Sequence, residues 1–238
     1  MSFAFFDLDD TLVDTQAALH AWSLDFVAEY GLGGGDDDGP GDDEQAAARV
    51  VTHRVHDVVT WREFAENARE WFGITTPVDE LFEKLAASYV RKFSVSEAVT
   101  SGLTRLREAG WSLGIVTNGM TRVQHGKIDH AGLREYVDVV IDSEAAGYRK
   151  PDRRIFELAA GELAVELGPH GWMVGDMPGM DVEGGIAAGL RTIWLPLGRE
   201  LGPGDARPEF TAASIGEAIS IIEASGGAEQ IAGRAAPE

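Results

Sequence analysis

Phe3-Ala4-Phe5-Phe6-Asp7-Leu8-Asp9-Asp10-Thr11 is the stretch that decides the fold. Four apolar residues in a row, three of them aromatic, predict a short strand covered on both faces, as in a parallel sheet. The acids behind them end the strand. Asp7 and Asp9 stand two residues apart, so in an extended segment their side chains share a face.

Outward from this stretch the pattern turns helical. Residues 17–30 carry Leu19, Trp22, Phe26 and Tyr30 at helical spacing. A Gly/Asp loop over about 31–43 reads as solvated, because the calcium-loop pattern of oxygens around a central glycine is missing. Helices are expected over about 44–60, 61–72 and 78–92, with no strand between them. Past residue 95 the pattern changes. Strands are expected at Trp111–Val116, Val137–Ile141, Trp172–Val174 and Thr192–Leu195, separated by helices over about 121–132, 152–166 and 181–188. A last helix is expected over 214–224, followed by a tail rich in Gly, Ala and Pro.

Strands alternating with helices imply a parallel sheet with helices on both faces. The expected fold is therefore α/β, a Rossmann-like parallel sheet core with an inserted all-helical cap domain. The core would comprise residues 1–14 and 96–226, the cap 15–95, and a mobile tail 227–238.

Four polar features lie where this core's strands end. Asp7 and Asp9 follow the first, Thr117 the second and Asp176 the fourth, with Asp181 five residues on; Lys150 sits in a loop before Pro151. Ligands of open parallel sheets bind at the carboxyl ends of the strands, so these residues are expected to converge. Asp7 and Asp176 are hard oxygen ligands with no His or Cys beside them, which favours magnesium over zinc. Asp7 can attack phosphorus and form an aspartyl-phosphate. Lys150 and Thr117 are suited to hold phosphoryl oxygens. Asp9 can pass a proton to the leaving alcohol and later activate water. Nearby carboxylates and burial would raise its pKa and a cation would lower it, and the sequence leaves that balance open.

Composition narrows the function further. The 238 residues carry a net charge of −20 and no cysteine. Phosphate-neutralising nucleic-acid binding is disfavoured, and disulfides and thiolate zinc sites are excluded. No apolar stretch has membrane-spanning length, and the N-terminus lacks a signal-peptide pattern, so a cytoplasmic location is expected. In so acidic a chain, a phosphorylated substrate requires local cations to reverse the field. Lys150 is one of only four lysines.

These motifs resemble the haloacid dehalogenase superfamily. Its strand followed by Asp-x-Asp-x-Thr is met by Asp7-Leu8-Asp9-Asp10-Thr11, its strand ending in Thr or Ser by Ile115-Val116-Thr117-Asn118-Gly119, its lysine by Arg149-Lys150-Pro151-Asp152, and its last acids by Gly175-Asp176 and Asp181. The resemblance implies a C1 cap of the phosphoglycolate phosphatase-like or nucleotidase-like kind. It implies Asp7 as nucleophile and magnesium ligand, and Asp9 as acid/base with its backbone carbonyl on the metal. Thr117, Asn118 and Lys150 would hold phosphate, Asp176 would ligate the metal, and Asp181 would support the metal shell or Lys150. Asp10 departs from the Gly that many relatives carry.

The expected activity is magnesium-dependent hydrolysis of a small phosphorylated metabolite, by a monomer or a homodimer. Three alternatives remain: a 2-haloacid dehalogenase, a phosphomutase of the same fold and a non-catalytic binding protein. Asp9 argues against the first, since dehalogenating relatives usually lack that second acid.

Overall fold

The computed structural model describes residues 2–33, 43–55 and 60–234. The loop expected at 31–43 falls largely outside these residues, as do the last residues of the helix expected over 44–60 and the last four positions of the tail.

Six parallel strands form one sheet: β1 (Phe3–Phe6), β2 (Ser112–Thr117), β3 (Val139–Asp142), β4 (Gly171–Gly175), β5 (Arg191–Trp194) and β6 (Phe210–Thr211), in the order β3-β2-β1-β4-β5-β6. This is the doubly wound order in which the chain builds one half of the sheet and then returns to build the other. Strand β1 lies at the centre, between β2 and β4. All four of its residues are fully buried, which explains the unbroken apolar run. On one face Phe3, Phe5, Val116 and Met173 pack with Ile155, Phe156 and Ala159.

The chain forms two compact units, Met1–Val13 with Ser94–Glu238, and Asp14–Phe93. The second is the helical insertion: α1 (Thr15–Tyr30), α2 (Asp43–Val55), α3 (Trp61–Trp71) and α4 (Val78–Val90). Asp14 caps α1 by accepting from Ala17 N at 2.8 Å. Thr60 and Glu63 close a capping box on α3, so the helix expected to run to residue 60 has already given way to the cap of the next. The interior of the unit is aromatic. Trp22 meets Trp61 edge-on at 5.0 Å and Phe64 at 5.7 Å, and its buried indole N–H donates to Ser88 Oγ.

In the α/β unit, α5 (Glu97–Glu108), α6 (Thr121–His130), α7 (Ser143–Ala146), α8 (Arg153–Glu162), α9 (Glu183–Ala187) and α10 (Ile215–Arg234) connect or cover the strands. Three features differ from expectation. Helix α7 is a single turn, capped by Asp142 through Ala145 N and too short for a periodic signal. The turn Pro178–Val182 is π-helical, so of the expected helix at 181–188 only Glu183–Ala187 is α-helical. Helix α10 runs ten residues past the expected end at 224, with Gly226 and Gly227 accommodated within it at a cost of about 1 kcal/mol each. Among the described residues no helix is long and apolar enough to cross a membrane.

Candidate active site

Asp7 is the first residue beyond β1, and its N–H still donates to Val174 O at 2.9 Å. The sheet's own ladder therefore holds its backbone. Its carboxylate accepts from Leu8 N at 2.7 Å and meets Lys150 Nζ at 2.8 Å. Lys150 also donates to Asp181 Oδ1 at 2.6 Å, and Asp181 Oδ2 accepts from Met177 N at 2.9 Å. Gly175 makes this arrangement possible: a Cβ there would fall 2.2 Å from Asp181 Cγ. Asp176 directly follows β4 and is bound by Arg199, whose Nη2 donates to its carboxylate at 2.8 Å and to its carbonyl at 2.7 Å.

Burial raises the pKa of Asp7 to about 7; Lys150 opposes the shift, while Asp181 and Asp9 add to it. Burial likewise raises Asp176 to about 6, with Arg199 opposing and Asp181 and Asp10 adding. Burial works against the charge of Lys150, but Asp181 and Asp7 together outweigh it and raise its pKa.

Asp9 faces a different neighbourhood. Its two oxygens accept from Lys127 Nζ at 2.6 Å and from Gln124 Nε2 at 2.8 Å, both on α6. The same Gln124 nitrogen donates to Thr117 Oγ1 at 2.6 Å. Asp7 and Asp9 are thus two residues apart yet paired with different cations.

All the strand-end residues expected to converge lie in this unit, at the carboxyl edge of β1, β2 and β4. Asn118 is engaged differently from a simple phosphate donor. Its side-chain amide accepts from Lys150 N at 2.8 Å and donates to Lys150 O at 3.1 Å, so it fixes the backbone that presents the lysine. Three residues escaped the reading of the sequence: Gln124, Lys127 and Arg199. None of the three carries a signal in the sequence. Lys127 and Lys150, two of the four lysines, are both almost wholly buried, and a buried lysine requires an acid opposite. Arg199 lies in a loop beyond β5, where no periodicity marks it.

Asp7, Asp176 and Asp181 each place a carboxylate oxygen within 4.8 Å of the others. Three buried carboxylates stand against two side-chain cations, Lys150 and Arg199, and burial first, with the neighbouring acids adding to it, raises the pKa of Asp7 and Asp176. The donors are all hard oxygens, so the cluster can hold a divalent cation such as magnesium.

A parallel sheet that gathers buried carboxylates and a lysine at its carboxyl edge defines the class: an α/β enzyme with an acidic centre. The chain belongs to the haloacid dehalogenase-like hydrolases, whose family profile matches residues 1–189. The helical insertion between β1 and β2 is the C1 cap of that family. Among curated relatives, the pyrimidine 5'-nucleotidase YjjG of Escherichia coli is 36% identical over 110 residues, 46% of this chain and 49% of that protein; that match spans about half the relative's length. The phosphoserine phosphatase of Thermus thermophilus is 29% identical over 184 residues, 74% of this chain and 72% of that protein. In fold, the magnesium-bound HAD-hydrolase YfnB of Bacillus subtilis superposes with a TM-score of 0.68 at 22% identity, covering 93% of this chain and 98% of that one.

Proposed function

We propose that this chain is a magnesium-dependent phosphohydrolase that acts on a small phosphorylated metabolite and carries the phosphoryl group on Asp7. The observation that supports this most is the setting of Asp7. It is held by the central strand, buried, within a cluster of acids and against Lys150. The two curated relatives, by name a nucleotidase and a phosphoserine phosphatase, support phosphate esters as the substrate class.

Asp7 and Asp176 would hold the magnesium through their side chains and Asp9 through its carbonyl, with Asp181 at the edge of that shell. When bound, the ion supplies charge neutralisation between an entering carboxylate and a phosphate dianion. An Asp7 oxygen then attacks phosphorus, and the bond from phosphorus to the ester oxygen breaks. Asp9, which must take up a proton in the substrate complex despite its contact with Lys127 Nζ, passes it to the departing alkoxide. Asp9, now a carboxylate, takes a proton from water, whose oxygen attacks the acyl-phosphate and releases inorganic phosphate and Asp7. Lys150 donates to Asp7 and Asp181 and has a third N–H for a phosphoryl oxygen. Thr117 offers its hydroxyl hydrogen to a second, and Asn118, its side chain committed to Lys150, offers its backbone N–H. Asp9 is also what weighs against halide displacement, which needs no proton for its leaving group.

The test is phosphate release from p-nitrophenyl phosphate and from a panel of phosphorylated metabolites, with magnesium and with a chelator. Turnover is expected only with magnesium. Asp7→Asn is expected to lose at least about 10³-fold while keeping its fold. Full activity in folded Asp7→Asn would overturn the reading.

A further inference from the structure

We propose that Gln124 and Lys127 form a two-point clamp on α6 that aims both Asp9 and Thr117, making them positioning residues for phosphoryl transfer. The inference rests on the function proposed above and goes beyond it, because that mechanism uses neither residue.

The two stand three apart on one helical face and are 2% and 4% exposed. Lys127 takes Asp9 Oδ1 and Gln124 takes Asp9 Oδ2, so each carboxylate oxygen has its own donor and the carboxylate plane is fixed. Gln124 gives its amide hydrogens to Asp9 and to Thr117 Oγ1. A hydroxyl has one hydrogen and two lone pairs. With Gln124 occupying an acceptor position, the Thr117 hydrogen is turned away from α6 and becomes available to a phosphoryl oxygen. The general acid and a phosphate donor are thereby set in register by one side chain.

The surroundings are built for this. A Cβ on Gly119 would lie 2.8 Å from both Cγ and Cδ of Gln124, so glycine there admits the glutamine. The start of α6 is tied to the end of β3: Thr121 Oγ1 donates to Asp142 at 2.7 Å, Thr121 N to Glu144 at 2.9 Å and Gly119 N to Ser143 Oγ at 3.0 Å. Burying the Lys127 ammonium against the half-buried Asp9 adds little net stability compared with an apolar side chain of the same volume at 127. Fold stability alone therefore gives no reason for lysine at position 127.

Misaiming the general acid harms esters with basic leaving groups most, because those need the proton. The test compares kcat/KM, which reports the chain of steps up to transfer onto Asp7, for phenyl phosphate and p-nitrophenyl phosphate at saturating magnesium. Lys127→Met is expected to lose about 100-fold on phenyl phosphate and about tenfold or less on p-nitrophenyl phosphate. Lys127→Arg should recover most of the loss. Adding Lys127→Met to Asp9→Asn should cost nothing further, because the two act as a unit. Equal losses on both esters, or additive losses in the double variant, would overturn the clamp. If thermal unfolding shows that Lys127→Met does not fold, Gln124→Leu, which leaves the Lys127–Asp9 contact intact, decides: the loss shared by both esters reports Thr117, an excess loss on phenyl phosphate reports Asp9, and absence of that excess overturns the clamp. Wild-type turnover that Asp7→Asn abolishes and Lys127→Met leaves unchanged sinks only the clamp. Absence of magnesium-dependent turnover in the wild type sinks the proposed function, and the clamp with it.

Discussion

The insertion Asp14–Phe93 fills its interior with rings, Trp22, Phe26, Trp61, Phe64, Tyr89 and Phe93. Its one buried polar side chain among the described residues, Ser23, is satisfied by His20 O. The α/β unit buries Asp7, Thr117, Gln124, Lys127, Asp142, Lys150, Asp176 and Asp181 instead. Buried rings release free energy on folding, whereas buried charges must be paired merely to avoid a penalty. The difference teaches where evolution placed cost. One unit is packed for stability, and the other accepts under-compensated acids that pure stability would remove.

The comparison breaks most visibly at its largest expected effect. Phe64→Ala empties a fully buried site among Trp22, Phe26 and Trp61 and should cost about 3–5 kcal/mol. Magnesium affinity, measured by calorimetry on the folded variant, should stay within about twofold of wild type, since no ring of the insertion belongs to the acid cluster. A parallel loss of affinity would show that the two kinds of interior are not separable. A smaller effect sharpens the other side. Magnesium at about 100 times its Kd should raise stability by about 2.7 kcal/mol, read as a higher thermal midpoint. Asp176→Asn should abolish most of that gain. A midpoint indifferent to magnesium would mean that the carboxylates do not share an ion.

Legibility followed the same division. Phe3–Phe6 was readable because four buried residues in sequence leave little but a central strand, and the acids at strand ends were readable because each interrupts an apolar run. Gln124 and Lys127 were not, because α6 turns a polar face inward: Val123, Gln124, Lys127 and Ile128 are its buried residues, and periodicity assumes that the inner face is apolar. Arg199 and the two-residue β6 depend on contacts between segments remote in sequence. The engagement of Asn118 with the backbone of Lys150 is also tertiary, and no spacing within either motif announces it.

Asp10 carries the smallest expected effect. It has φ +54°, the left-handed region, in a turn where Leu8 O accepts from the N–H groups of Thr11, Leu12 and Val13. That conformation is one glycine adopts without strain. Asp and Asn tolerate it, whereas Ala pays about 1 kcal/mol. Asp10 has a second consequence, since its charge adds a small repulsion to the burial that raises the pKa of Asp176. Asp10→Asn keeps the tolerance and removes the charge, so its metal-free thermal midpoint should equal or exceed that of wild type. Asp10→Gly removes both the strain and the charge but frees the unfolded chain, and should fall within about 0.5 kcal/mol of wild type. Asp10→Ala sets relieved repulsion against strain, and should fall below Asp10→Gly by about 1 kcal/mol. If Ala and Gly give the same midpoint, charge rather than backbone geometry governs the position, and the turn after β1 belongs with the acidic centre rather than with the scaffold.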